Sequence, residues 1–140
     1  MRVFVTGATG LFGRALCGAL LERGDEVRGL SRSPAALLAG VEKIEGDPAI
    51  RAGWMRHIEG CDAIVHLAGE SIGGRRWSAT YKKRLLASRV ESTRNLVAAL
   101  ATAPSKGRPP ALVCASGADY YTFDDSDRAG FAAMTGLAYA

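Results

Sequence analysis

The sequence lacks any long apolar stretch. No run approaches the roughly 18 consecutive apolar residues that a membrane-spanning helix requires, although 48% of the residues are hydrophobic and 23% are charged. The N-terminus carries a single charge at Arg2 and then enters a short apolar run, which does not resemble a signal peptide. We therefore expect one globular domain in the cytoplasm, with no membrane contact.

Cysteine is scarce, with three residues in the chain, Cys17, Cys61 and Cys114. They lie far apart, and no Cys-x-x-Cys pair occurs. An odd, scattered set of this kind is typical of buried thiols in a reducing compartment, not of disulfides or zinc ligands. We predict buried thiols and no metal site.

The excess of one charge sign is small. There are 18 basic and 14 acidic residues, for a formal net charge of +4, which suits a small anionic ligand and argues only weakly for nucleic acid. Basic residues do concentrate between Arg75 and Arg89, around Trp77. We interpret this cluster as the solvated face of a helix. Because too few aromatic residues accompany it for stacking on single strands, we expect no nucleic-acid partner.

Glycines at a fixed spacing follow the first apolar run. Val3 to Val5 has the pattern of a buried strand, Gly7, Gly10 and Gly13 come next, and helical spacing begins near residue 15. The N–H groups that open a helix lack partners within it and favour an anion, and glycine lets a phosphate approach the backbone. The pattern predicts a phosphate site; the alternative is a tight strand–helix turn without a ligand.

Strands and helices alternate along the rest of the chain, which predicts an α/β fold: a Rossmann-like, doubly wound parallel sheet of about five strands in the order 3-2-1-4-5. The predicted strands are Val3–Val5, Val27–Leu30, Val41–Glu45, Ala63–Leu67 and Ala111–Ala115. Ser33 and Pro34 predict the start of a short helix that ends near Leu38.

The longest predicted helix covers residues 79 to 101 and is capped by Ser78. Apolar residues recur along it three and four positions apart and predict one buried stripe, formed by Leu86, Val90, Thr93, Val97 and Leu100. Such a helix can serve the sheet alone, or the sheet and a second copy in a homodimer.

The spacing Gly-x-x-Gly-x-x-Gly within Thr6 to Gly13 resembles the short-chain dehydrogenase/reductase superfamily, in its extended or atypical branch. Segments 66–72, 76–78, 83–94 and 116–121 resemble the nucleoside-diphosphate-sugar epimerase-like family. The resemblance covers residues 1 to 121 and implies an NAD(P)-binding domain there, followed by a divergent tail over 122–140. The resemblance implies a small-molecule substrate, such as a nucleotide sugar or a small carbonyl compound.

The resemblance and the ends of the strands together give the candidate cofactor residues. At the second strand, Ser31 and Arg32 stand where a 2′-phosphate would bind, whereas Glu26 lies at the wrong end, so we predict NADP; the alternative is that Arg32 is a solvated loop charge. The full predicted set is Thr6, Gly7, Thr9, Gly10, Leu11, Phe12, Gly13, Ser31, Arg32, Asp47, Leu67, Ala68, Gly69 and Glu70.

Several of these positions keep an alternative. Asp47 accepts a hydrogen bond from the adenine amine by resemblance, or else forms an Asp–Pro turn with Pro48. Glu70 and Arg76 contact a ligand or are surface charges at a helix entry. His66 is expected to point into the packing of the sheet and not to act as a base.

The catalytic candidates, again by resemblance, are Ser116, Tyr120 and Tyr121. In the superfamily a tyrosine acts as acid–base with a lysine four residues later, yet no Tyr-x-x-x-Lys occurs in this chain. We therefore expect either a fragment or a chain reduced to its cofactor half. The functional hypotheses are an NADP-dependent oxidoreductase or sugar-nucleotide-epimerase-like protein, and a non-catalytic NADP(H)-binding sensor or interaction module.

Overall fold

The chain forms one parallel sheet. A computed structural model describes residues 1–73, 76, 78–102 and 110–115. Within them lie five strands in the order β3-β2-β1-β4-β5, all of them parallel, which confirms the predicted fold class and order. The strands are β1 (Arg2–Thr6), β2 (Glu26–Ser31), β3 (Glu42–Glu45), β4 (Ala63–His66) and β5 (Ala111–Cys114).

Helices cover the two faces of the sheet. Helix α1 (Leu11–Glu22) follows β1 and helix α2 (Ala79–Thr102) precedes β5. One apolar cluster joins α1 to Val3 and Val5, which lie on one face of β1. The other joins α2 and a 3₁₀ segment (Gly53–Ile58) to Phe4 on the opposite face of that strand. Because alternate residues of β1 enter different clusters, both faces of the sheet are buried, as a doubly wound fold requires.

The predicted short helix after Ser33 is wrong in length. The structure has a three-residue 3₁₀ turn, Pro34–Ala36, and the Ser33 side chain makes no capping hydrogen bond. Leu37 has already returned to an extended conformation, with ψ at 150°, and its side chain is buried among the residues that pack against α1. Burying Leu37 therefore ends the helix before a second turn can form.

The predicted buried stripe of α2 is wrong at three of its five positions, whereas Thr93 and Leu100 are half-buried and Leu100 packs against the core. Leu86, Val90 and Val97 are exposed to 66%, 40% and 50%. The buried residues of this helix are Tyr81, Ser92, Asn95, Leu96 and Ala99. Most of that buried face is polar because, as described below, it holds two loops by hydrogen bonds; only its C-terminal part meets the apolar core.

The strand β5 is the least covered part of the sheet. Three of its four residues are exposed, and Cys114 is exposed while Cys17 and Cys61 are buried. The expectation of three buried thiols therefore fails at Cys114, which lies on a strand that has a neighbour on one side only among the described residues. No described helix is long and apolar enough to cross a membrane.

Candidate functional site

A cavity of about 460 Å³ opens at the carboxyl ends of the first four strands. This is the edge at which open α/β sheets bind ligands, and the volume suits a small molecule. Its lining residues are Gly7, Thr9, Gly10, Leu30, Ser31, Arg32, Ser33, Gly46, Asp47, Pro48, Ala49, Leu67, Ala68, Gly69, Glu70, Arg84, Ala87 and Ser88.

The three spaced glycines have different roles. A Cβ on Gly13 would lie 2.1 Å from the Gly7 carbonyl oxygen, and one on Gly7 would lie 2.7 Å from the Leu67 backbone. Gly7 also has φ at +69°, a conformation that favours glycine. These two glycines are thus required by the packing of the chain on itself. A Cβ on Gly10 would meet only the Gly7 carbonyl oxygen, at 3.2 Å, and Gly10 lines the cavity.

The N-terminus of α1 offers free amide groups beside Gly10. The first hydrogen bond of helical type runs from Arg14 N to Gly10 O at 2.9 Å, so the amides of residues 11 to 13 have no such partner within the helix. No side chain caps this end, and the first turn contains no acid. The side chains of Leu11 and Phe12 are exposed and do not line the cavity, so the groups that these residues can offer a ligand there are their backbone N–H groups.

At the end of β2, the buried Ser31 turns the chain. Its Oγ accepts the Ser33 N–H at 3.0 Å, and Arg32 between them is exposed at the cavity. Among the described residues, no carboxylate or carbonyl oxygen binds the Arg32 guanidinium. Glu26 begins β2 and is paired at 2.7 Å with Arg2, at the opposite end of the sheet.

At the end of β3, Asp47 forms a turn with Pro48, the alternative that the sequence offers to a hydrogen bond with the adenine amine. Its Oδ1 accepts the Ala49 N–H at 2.9 Å, and its carbonyl oxygen accepts the Ile50 N–H at 3.0 Å. The residue is half-buried and lines the cavity. The turn therefore fixes the carboxylate and leaves Oδ2 as the oxygen available to a ligand.

Thr6 and His66 lie behind the cavity, where they join β1 to β4. The Thr6 Oγ1 is 2.6 Å from His66 Nδ1 and accepts the Ala68 N–H at 3.3 Å, and Ser92 Oγ is 3.0 Å from His66 Nε2. Ser92 Oγ donates its own proton to the Ser88 carbonyl oxygen. The consistent arrangement has Nε2–H donating to Ser92 and Nδ1 accepting from Thr6. Burial lowers the pKa of His66 below its ordinary value of 6.5. Both ring nitrogens have hydrogen-bond partners within the fold, which agrees with the expectation that this side chain points into the packing of the sheet.

The loop after β4 is held by α2. The Glu70 N–H donates to Ser88 Oγ at 3.0 Å, and the Glu70 carbonyl oxygen accepts from Arg89 at 3.3 Å. The Glu70 carboxylate pairs with Arg84 at 3.2 Å. A Cβ on Gly69 would lie 3.3 Å from the Arg89 guanidinium carbon, so this glycine makes room for the arginine. The Tyr81 hydroxyl donates to the Ser71 carbonyl oxygen one residue further along.

The structure brings together ten of the predicted cofactor residues around the cavity. The other four, Thr6, Leu11, Phe12 and Gly13, are not among the residues that line it. The catalytic candidates Ser116, Tyr120 and Tyr121 lie outside the described residues, so these remain predictions, as do the boundary at 121 and the homodimer.

Sequence reasoning missed the contribution of α2 to this site. Arg84 and Ser88 line the cavity, and Arg89 lies behind its wall. Arg84 and Arg89 are exposed, in agreement with the interpretation of the basic cluster as a solvated face, and both also bind Glu70. The available signal was the helical spacing of Tyr81, Ser88 and Ser92, polar residues that fall on one face.

Known proteins with similar sequences and structures are members of one superfamily. The chain is 43% identical over 123 residues to the epimerase family protein SDR39U1 of Bos taurus, which is 86% of this chain and 38% of that protein. It is also similar to the crystal structure of the human epimerase family protein SDR39U1 (isoform 2) with NADPH, with a TM-score of 0.68 and 38% identity over 87% of this chain and 38% of that one. A short-chain dehydrogenase/reductase superfamily protein from Agrobacterium tumefaciens with bound NAD gives a TM-score of 0.59 and 31% identity, over 71% of this chain and 28% of that one.

These matches confirm the predicted resemblance and show that the chain spans 38% of the length of its SDR39U1 relatives. The family model described as the NAD dependent epimerase/dehydratase family matches residues 3–130. With that match over most of its sequence, and with the glycine loop and the strand order of such folds in place, the chain belongs to the NAD dependent epimerase/dehydratase family.

Proposed function

We propose that this chain binds NADP(H) in the cavity at the carboxyl ends of its strands and forms the cofactor-binding part of an NADP-dependent oxidoreductase or sugar-nucleotide-epimerase-like protein. The observation that carries the proposal is the Arg32 guanidinium at the end of β2, which has no partner within the described part of the chain and lies on the same cavity as the glycine loop. The human relative, whose structure contains NADPH, supports the choice of nucleotide.

The residues present fit such a cofactor. The free amides of residues 11 to 13 and the positive end of the α1 dipole suit the pyrophosphate. Gly10 leaves open the space through which the phosphates would approach the backbone. Arg32 can form paired hydrogen bonds to a 2′-phosphate, and the Asp47 Oδ2 can accept from the adenine amine.

The described residues would bind and orient the cofactor. When bound, the nicotinamide ring supplies or accepts the hydride of the family's chemistry. The loop from Leu67 to Glu70 would form the wall beside that ring, because the adenine half extends from the pyrophosphate toward β2 and the other half must extend toward β4. By resemblance, Ser116 would bind the substrate oxygen and Tyr120 or Tyr121 would transfer the proton.

A titration with NADPH and NADH, followed by intrinsic fluorescence, tests the proposal. Wild-type protein is expected to bind NADPH more tightly than NADH. Arg32→Ala is expected to weaken NADPH binding by about tenfold to a hundredfold, because charge-assisted hydrogen bonds contribute roughly 1.5–3 kcal/mol, and to leave NADH nearly unchanged. Arg56→Ala, on an exposed residue outside the cavity, is the matched control. Equal loss of both nucleotides would contradict the assignment of Arg32.

The second candidate function is a module that binds NADP(H) without catalysis. It is supported by the cavity of the described residues, whose free amides and Arg32 are groups that bind a nucleotide without any reaction. Clear NADPH binding without NADPH oxidation, over a panel of small carbonyl compounds and nucleotide sugars, would select the module over the enzyme. Oxidation of NADPH with any of these compounds would select the enzyme.

A further inference from the structure

Helix α2 contacts both walls of the cavity through polar side chains. Near its middle, Ser88 and Arg89 hold the backbone of Glu70 in the loop after β4. Two turns further along, Asn95 holds the loop after β3: its Nδ2 donates to the Pro48 carbonyl oxygen at 3.0 Å and its Oδ1 accepts from Arg51 at 3.1 Å. One rigid helix thus spans the distance between the two loops.

These two loops serve opposite halves of the proposed cofactor. Pro48 adjoins Asp47, on the adenine side, whereas Glu70 is on the nicotinamide side. Because the glycine loop lies between them and is shaped by its own backbone, each contact of α2 can act on one wall without passing through the pyrophosphate site.

The contacts of α2 with the two loops differ in burial, since Asn95 is buried, Ser88 is half-buried and Arg89 is exposed. Asn95 is 3% exposed, and Ser92, which lies between Arg89 and Asn95 on the helix, is fully buried. A Cβ on Gly69 would lie 3.3 Å from the Arg89 guanidinium carbon, so the glycine permits a close approach of the arginine. By contrast Arg94, on the exposed side of the same helix, pairs with Glu91 one turn earlier on that helix.

We propose that α2 positions the two halves of the dinucleotide separately, with Asn95 acting through the Asp47 turn on the adenine half and Ser88 and Arg89 acting through Glu70 on the nicotinamide half. These are positioning residues that need not touch the cofactor. The proposal rests on the proposed function, because it assigns halves of NADP(H) to the two walls.

Separate ligands for the two halves make the test. Binding of NADPH and of adenosine 2′,5′-bisphosphate, which carries the adenine half alone, is measured by calorimetry on the full chain. Arg89→Ala and Ser88→Ala are expected to weaken NADPH by about tenfold, the effect of one lost hydrogen bond, and to leave the bisphosphate unchanged. Asn95→Ala is expected to weaken both ligands by a similar factor.

The controls separate positioning from folding. Arg94→Ala should leave both affinities unchanged, and Arg89→Lys, which keeps a donor for the Glu70 carbonyl oxygen, should recover most of the NADPH affinity. If Asn95→Ala does not fold, Asn95→Asp replaces it, because it keeps the acceptor for Arg51 and loses the donor to Pro48.

The outcomes distinguish the two proposals. Failure of the wild-type chain to bind NADPH would overturn the proposed function. If the wild type binds, equal loss of both ligands in Arg89→Ala, or affinities in all variants equal to those of Arg94→Ala, would overturn the positioning role and leave the proposed function standing.

Discussion

The glycine loop after β1 and the loop after β4 form neighbouring walls of one cavity, but they are held in different ways. The first is shaped by missing side chains, since Gly7 and Gly13 permit backbone contacts that a single Cβ would block. The second is shaped by added side chains, since Ser88, Arg89 and Arg84 bind Glu70 from a helix 14 to 19 residues away in sequence. A local wall and a remote wall should therefore respond differently to mutation.

The largest expected effect is at the local wall. Gly13→Ala would place a Cβ 2.1 Å from the Gly7 carbonyl oxygen, and overpacking against backbone should lower the free energy of unfolding by about 3 kcal/mol or more. Gly18→Ala, where nothing lies within 4 Å of the added Cβ, should instead raise it by about 0.5–1 kcal/mol. Urea denaturation measures both. A stable Gly13→Ala protein would show that this loop is not closely packed.

Gly10→Ala should separate binding from folding at the same loop. The added Cβ meets one backbone oxygen, at 3.2 Å, so the loss in the free energy of unfolding should be about 1 kcal/mol or less. The methyl group should keep a pyrophosphate from the backbone, and NADPH affinity should fall by ~30-fold, about 2 kcal/mol. Calorimetry and urea denaturation on the same sample measure both quantities. Unchanged NADPH affinity would mean that phosphate does not approach at Gly10.

The free energy of unfolding should depend on pH through His66, which ends β4 behind the two walls. Burial lowers the pKa of this ring in the folded chain. Below about pH 6.5 the histidine is therefore protonated to a greater extent in the unfolded chain than in the folded chain. The free energy of unfolding should then fall as the pH drops below about 6.5, by at most about 1.4 kcal/mol per pH unit, and the histidine should add no slope above that pH. The measurement is urea denaturation from pH 5 to 8, with His66→Gln as the control. The same slope in both proteins would exclude His66 as its source.

The smallest effect should come from the outer face of α2. Leu86→Gln replaces an apolar side chain that is 66% exposed by one of similar helix propensity, so the free energy of unfolding should change by less than about 0.5 kcal/mol. Leu96→Ala, on the buried face, should cost roughly 2–5 kcal/mol. A large loss in the free energy of unfolding of Leu86→Gln would instead support the buried stripe that the sequence predicts.

The difference between the two walls also separates the features of the fold and site that the sequence could predict from those that it could not. The strand order, the glycine loop, Arg32 and Asp47 follow from local patterns: an apolar run, then a turn, then a residue of suitable chemistry at the end of a strand. The hydrogen bonds of α2 to Glu70 and Pro48 could not be predicted in the same way, because they join residues that are distant in sequence. The apolar spacing of Leu86, Val90 and Val97 indicated the wrong face, since periodicity assumes that a buried face is apolar, whereas much of this one is buried against polar loops.

A crystal structure of the chain with NADP⁺ tests the central claim most directly. The account predicts pyrophosphate oxygens within hydrogen-bonding distance of the Leu11 and Phe12 amides, and the 2′-phosphate on the Arg32 guanidinium. A nucleotide bound elsewhere, or a pyrophosphate turned away from the glycine loop, would contradict it.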